Sequence, residues 1–378
     1  MVWSRVACPS LESYLSIQYK GQRKAPFNQA RFTMVKIGIA GASGYTGLEL
    51  IRLLVRHPGV ELTVLTSETF QGQNIAEVFP SLNGMVDLEL RPLDDNIAKD
   101  CGVLFLALPH TMAMSKLPNY LQSDCKIIDL SADYRLKDPK AYTDWYSVTH
   151  THPELLEQAV YGLPELHRQA IQSARFIANP GCYPTSVILA LAPLLKTDWV
   201  DLDSIISDSK SGVSGAGRKP SLITHFTEVN EGVSPYSLAG HRHTPEMEQE
   251  LSALAGKPVR VTFSPHLIPM TRGMLSTVYI NLNQAITDEK LIEHYRNFYK
   301  GESFIRVLNP GSFASSQHVL SSNFCDIGLK VDSRNQRLII TSALDNLIKG
   351  ASGQAVQNMN IMLGMDEKTG LMAPAIFP

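Results

Sequence analysis

From Met34 onward the apolar positions keep two rhythms in turn. VKIGIAGA (35–42) is a short, nearly unbroken apolar run with β-branched residues and a glycine at its end. That pattern predicts a strand buried on both faces. The period then changes: Leu48, Ile51, Leu54 and Val55 recur at helical spacing until Pro58-Gly59 stops them. VELTVLTSE (60–68), CGVLFLALP (101–109) and CKIIDLS (125–131) read as further strands, with a helix around LPNYLQ (117–122). Strands alternating with helices predict a parallel, doubly wound sheet over residues 34–181, an α/β dinucleotide-binding domain of Rossmann type.

Beyond Cys182 the texture shifts. SVILALAPLL (186–195) predicts a buried helix. IISDSK (205–210), VRVTFSPHLIP (259–269), LSTVYINL (275–282) and RLIITSAL (337–344) predict strands, and longer mixed connections separate them. An α+β domain with a mainly antiparallel sheet over 182–344 follows. In the final stretch Ala355, Val356, Met359, Ile361 and Met362 could share one face of a helix. The segment 345–378 is therefore expected to return over the first domain.

The length of 378 residues suits two such domains. A net charge of −2 gives no electrostatic reason to expect nucleic acid or an anionic membrane as partner. No apolar run approaches the ~18–20 residues of a membrane span. The five cysteines are widely spaced with no CxxC pair, which points away from a zinc site or disulfide framework and towards a reducing compartment. No metal is expected: His241 and His243 lack a third ligand at suitable spacing. Residues 1–33 carry five Lys/Arg, one acid and four serines. Such a composition resembles an organellar transit segment but shows no cleavage signal. The preferred expectation is a poorly ordered extension on a cytoplasmic protein. A plastid or mitochondrial matrix location is the alternative if the segment is a transit peptide.

Candidate chemistry gathers in four places. GIAGASGYTGLEL (38–50) lies at the first strand-to-helix junction, and its glycines Gly41, Gly44 and Gly47 read GxxGxxG. Glycine there permits a tight turn and lets backbone N–H groups approach a pyrophosphate at the helix N-terminus. Ser43 and Thr46 add hydroxyl donors. The second strand ends in Thr66-Ser67-Glu68: Glu68 could bind a ribose 2′-OH, whereas Ser67 and Thr66 could face a 2′-phosphate. The residues alone leave NAD and NADP both open. ANPGCYPTS (178–186) places Cys182 where a helix begins, and the helix dipole there favours a thiolate nucleophile. GHRHTPEMEQEL (240–251) offers His241 and His243 as bases for that thiol, and His110 stands at a strand end beside the glycine loop. KSGVSGAGRKP (210–220) is a second glycine-rich loop suited to close backbone approach to a ligand.

Nine segments in order resemble the N-acetyl-γ-glutamyl-phosphate reductases: GASGYTGLEL, FLALPH, IDLSADYRL, VYGLPEL, ANPGCYPTS, KSGVSGAGRK, HRHTPEME, PHLIPMTRG and DNLIKGASGQAVQN. The likeness runs from Met34 to Pro378. It departs at Tyr134, where phenylalanine is usual, and in the extension before Met34. The resemblance implies NADPH-dependent reduction of N-acetyl-γ-glutamyl phosphate to the semialdehyde through a cysteine thioester. It implies Cys182 as nucleophile and His243 as acid/base, with His241 the alternate. Arg135, Arg218 and Arg242, together with His241, become candidates for holding the substrate's carboxylate or phosphate. Gly41, Ser43, Gly44, Tyr45, Thr46, Gly47 and Ser67 become NADP contacts, and Ser214, Gly215 and Asn346 nicotinamide-side contacts. A homodimer or homotetramer built on the second sheet is also implied.

Overall fold

The computed structural model describes residues 34–377; the expectation concerning 1–33 lies outside them. A first sheet contains β1 (Val35–Ala40), β2 (Val60–Thr66), β3 (Leu90–Arg91), β4 (Val103–Leu106), β5 (Lys126–Asp129), β6 (Val160–Tyr161) and β7 (Phe176–Ala178). Their order is 3-2-1-4-5-7-6, and every neighbouring pair runs parallel. The apolar runs become strands because helices cover both faces, so Ile37, Ile39, Val103, Phe105 and Ile128 have no exposure at all. The order reverses between β1 and β4. The crevice beyond their carboxyl ends is where such sheets bind ligands. The glycine loop and the segment Ala107–His110 both sit there, joined by the Ala107 N–H donating to the Ala40 carbonyl at 2.8 Å.

The second sheet is mixed. Its strands are β8 (Val200–Gly212), β9 (Ser234–Pro235), β10 (Thr262–Ile268), β11 (Met274–Leu282), β12 (Ile305–Val307), β13 (Cys325–Asp332) and β14 (Arg337–Leu344), in the order 12-13-14-11-8-10-9. Four neighbouring pairs are antiparallel; β8–β10 and β12–β13 are parallel. β11 alternates strictly: Met274, Ser276, Val278, Ile280 and Leu282 point into the core, and the residues between them are half-buried. The inward set packs with the helix Cys182–Leu191, whose residues from Tyr183 onward are all buried. A helix buried all round must be apolar all round, which accounts for SVILALAPLL.

The chain ends by crossing back. After β14 it makes one turn of π-helix, Ile348–Ser352, then the helix Gly353–Met362, which the sequence pattern had run together as one helix. Ala355, Val356, Met359, Ile361 and Met362 all join the core beside β1 and α1 (Tyr45–Leu54). Three ionic groups fasten this junction. Arg272 grips Asp345 through two bonds of 3.1 Å and reaches Glu49 on α1 at 3.0 Å. The loop 210–220 is less open than its glycines suggest. Lys210 to Gly212 still belong to β8, and a Cβ on Gly212 would meet the Met270 carbonyl at 2.8 Å.

Candidate active site

The dinucleotide cradle is built by steric necessity at two of its three glycines. Gly41 has φ +86°, and a Cβ there would lie 2.3 Å from the Ala107 carbonyl oxygen. A Cβ on Gly47 would lie 2.5 Å from the Gly41 carbonyl oxygen. Gly44, by contrast, has ordinary room; it begins α1 with no side chain capping the first turn. That uncapped turn, next to Tyr45 and Thr46, presents free N–H groups to an anion. The residues therefore fit a dinucleotide pyrophosphate. At the tip of β2, Thr66 is buried and its hydroxyl accepts from the Gly41 N–H at 3.2 Å, so it serves the loop and not a ligand. The Ser67 and Ser43 hydroxyls meet at 2.8 Å.

Ser214, Gly215 and Asn346 come together. The Asn346 amide donates to the Ser214 hydroxyl at 2.9 Å, its oxygen accepts from the Gly273 N–H at 2.7 Å, and Gly215 lies alongside.

Cys182 opens its helix behind Gly181 and is half-buried. Gly350, in the π-turn, passes so close that a Cβ there would lie 2.7 Å from the Cys182 Cβ. Cys125 and Cys325 are buried, and burial pushes both thiols, and that of Cys101, up to about 12. Three hydrogen bonds immobilise the backbone before Cys182. The Asn179 N–H donates to the Asp129 carbonyl at 2.8 Å, Arg135 Nε donates to the Asn179 carbonyl at 2.8 Å, and the Gly181 N–H donates to Glu246 Oε1 at 2.8 Å.

His243 stands directly over this backbone: a Cβ on Gly181 would lie 2.5 Å from His243 Nε2. His241 is turned into an aromatic cage of Tyr183, Tyr236 and Phe263, and its Nδ1 accepts from the His243 N–H at 3.1 Å. The two rings are thus placed differently: His243 lies over Gly181, the residue before Cys182, and His241 lies behind it in the aromatic cage. His110 lies at the mouth, its ring edge-on to Tyr146, with Nδ1 accepting from the Ala132 N–H at 3.3 Å.

The three arginines part company. Arg135 is buried and spent on the protein: Nε on Asn179, Nη2 on the Leu130 carbonyl at 2.9 Å, and Nη1 on Glu246 Oε2 at 3.3 Å. These contacts hold it behind the loop that carries Cys182, whereas the expectation had it holding substrate. Arg218 lies against the glycine loop, donating to the Ser43 carbonyl at 3.0 Å and capping the rings of Phe70 and Phe79, apart from the residues around the thiol that the expectation grouped it with. Arg242 alone is exposed at the mouth, over Tyr146 and beside His110.

Glu246 was missed by sequence reasoning. It is buried, takes the Gly181 N–H and the Tyr161 hydroxyl (both 2.8 Å) on one oxygen, and faces Arg135 with the other. Its signal was available: three residues after His243, it falls on the same helix face. Burial pushes its carboxyl up, against the pull of Arg135 and the two donors. For Arg135, burial alone would lower the pKa, but Glu246 leads the charges that raise it. Tyr134, the departure from the family pattern, is buried with its hydroxyl donating to the Met114 carbonyl at 3.1 Å.

Burial acts on the thiol against the helix start. Burial pushes Cys182 up to about 11, outweighing the N–H groups of Tyr183 and Cys182 and the charge of Arg135. Burial, His241 and Arg135 hold His243 well below its usual value. An arginine N–H can only donate, so Arg135 Nη1, 3.5 Å from Nε2, also favours a lone pair there. A thiol pushed up and an imidazole pushed down both favour a neutral pair over an ion pair. Alkylation of Cys182 by iodoacetamide should accordingly keep rising with pH towards 11. A plateau reached by neutral pH would contradict the neutral pair.

Residues 36–174 match the family model described as semialdehyde dehydrogenase, NAD binding domain. Residues 182–346 match the one described as semialdehyde dehydrogenase, dimerisation domain. The chain belongs to the semialdehyde dehydrogenase family. Its curated relatives in that family include the N-acetyl-gamma-glutamyl-phosphate reductase of Symbiobacterium thermophilum, 52% identical over 346 residues, covering 91% of this chain and 99% of the relative. That of Desulforamulus reducens is 54% identical over 346 residues, covering 91% and 100%. Solved semialdehyde dehydrogenases share the fold at low identity. Aspartate semialdehyde dehydrogenase II from Vibrio cholerae, complexed with ASA, has a TM-score of 0.68 at 16% identity, covering 88% of this chain and 98% of that one. The Candida albicans enzyme, solved with NADP, has a TM-score of 0.65 at 15% identity, covering 88% and 99%.

Proposed function

We propose that this chain reduces N-acetyl-γ-glutamyl phosphate to N-acetylglutamate 5-semialdehyde and phosphate, using NADPH and a Cys182 thioester, as a step of arginine biosynthesis in the cytoplasm. The observation that carries the chemistry is the thiol at a helix start with His243 braced over the preceding glycine. The substrate follows the relatives' names. Cys182 attacks the acyl carbonyl while His243 takes the thiol proton, then passes it to the departing phosphate oxygen. Uncapped N–H groups at the Cys182 helix start stabilise the oxyanion. Arg242, with His110 beside it, holds the substrate's anionic end. When bound, NADPH supplies the hydride that turns the thioester into a hemithioacetal anion. Collapse of that anion expels the Cys182 thiolate, which regains a proton from solvent through His243. Pairing of copies through the outer face of the second sheet would make a homodimer or homotetramer, a reading favoured by the match to a dimerisation domain.

The reverse reaction tests the substrate. N-acetylglutamate semialdehyde and NADP should yield NADPH in steady turnover only when phosphate is present. Activity on aspartate semialdehyde instead would transfer the assignment to the aspartyl phosphate reaction.

A further inference from the structure

We infer that Arg218, which the second domain extends across the cofactor crevice, reads the 2′-phosphate of NADP and sets the preference over NAD. The inference rests on the NADP reading above and assigns a residue to it. Gly217, at φ +83°, turns the chain just before Arg218, and the side chain crosses to the first domain. There Nη1 donates to the Ser43 carbonyl at 3.0 Å, the one acceptor the guanidinium meets among the described residues. Its carbon lies 4.7 Å from the ring centroid of Phe79 and 5.4 Å from that of Phe70. The guanidinium is thus placed by a carbonyl and two aromatic faces, and its remaining N–H groups meet no acceptor among the described residues.

Its location singles out the 2′-phosphate among the cofactor's anionic groups. The pyrophosphate belongs at the uncapped start of α1, beside Tyr45 and Thr46. Arg218 lies instead on the β2 side of the loop. Ser43 is the loop residue whose hydroxyl meets Ser67 at the β2 tip, and Phe70 follows that tip with its N–H on the Ser67 hydroxyl at 3.2 Å. The β2 tip is where the ribose 2′ position sits in this fold. Glu68, the acid that would bind a free 2′-OH and repel a phosphate, is turned aside: its Oε1 accepts from the Leu93 N–H at 3.1 Å. A fixed cation, two hydroxyls and a diverted carboxylate together suit a dianion.

Calorimetric titration of wild type, Arg218→Ala and Arg218→Lys with NADPH and with NADH tests the assignment, without turnover. Wild type should bind NADPH more tightly than NADH. Arg218→Ala should weaken NADPH by roughly 10–100-fold and leave NADH unchanged, since hydrogen bonds between charged groups carry that much. Arg218→Lys should recover part of the loss. Unchanged NADH binding also certifies that the variant's crevice is folded. Parallel losses for both nucleotides, or no loss for NADPH, would overturn the role of Arg218 while leaving the NADP reading standing. A wild-type protein with no preference for NADPH would overturn both.

Discussion

Replacing Cys182 with serine should leave the fold and NADPH binding intact and lower turnover by roughly 10⁴-fold or more. The substitution exchanges one atom at a half-buried position whose Cβ packing against Gly350 is unchanged. The loss is expected to be this large because no other group nearby can take over. The remaining described cysteines are either buried in apolar clusters or tied, like Cys101, to the Ile97 carbonyl. A serine hydroxyl beside neutral His243 is a far weaker nucleophile towards an acyl phosphate, and an ester accepts hydride less readily than a thioester. Residual rate would reflect binding and the oxyanion contacts alone. Progress curves for the purified variant, with NADPH titration as a control for the fold, measure this directly. Turnover within tenfold of wild type would remove Cys182 from the chemistry.

Glu246→Gln should be nearly as damaging, by a different route. Glu246 is the counter-charge to a buried arginine, and breaking such a pair by neutralising one partner costs about 3–5 kcal/mol. The glutamine keeps the shape and can still accept from the Gly181 N–H, so the cost falls on Arg135. Two readouts separate stability from positioning. The denaturation midpoint should fall sharply, and turnover of the folded fraction should fall too, because Arg135 and Glu246 together fix Gly181, Asn179 and the lone pair on His243. Tyr161→Phe, which deletes one donor to the same carboxylate, should cost only about 1 kcal/mol. Equal midpoints for Glu246→Gln and wild type would mean that Arg135 finds another partner.

Much of the fold could be read from the chain because its central strands are apolar or alternating runs, most of them bounded by glycine or proline: β1, β2, β4, β5, β10, β11 and β14 all stood out. β3, β6, β7 and β12 did not, since two or three residues carry no period. β13, CDIGLKVD, hides behind a glycine and two aspartates, although its first five residues are buried. At the site, the Pro-Gly turn before Cys182 and the following apolar run marked a helix start with a thiol on it. What the chain could not display was commitment. Arg135, Arg218 and Arg242 look alike as anion binders in sequence. Only the fold shows that carbonyls and Glu246 consume the first, that the second lies on the glycine loop, and that the third stands free. Glu246 sat among Glu248 and Glu250 as one more helix charge. For the thiol, the helix terminus is a local signal, whereas the burial that pushes the other way comes from distant segments such as Gly350.

The central claim is the thioester on Cys182, and a burst measurement without phosphate tests it. Enzyme, NADP and N-acetylglutamate semialdehyde are mixed in phosphate-free buffer. The semialdehyde then acylates the thiol and reduces NADP, and the acyl group waits for phosphate to release it. The account predicts one NADPH per active site, followed by a slow phase, with the acyl mass located on the peptide containing Cys182 and turnover restored when phosphate is added. Steady NADPH formation without phosphate and without a burst, on an unmodified Cys182, would contradict it.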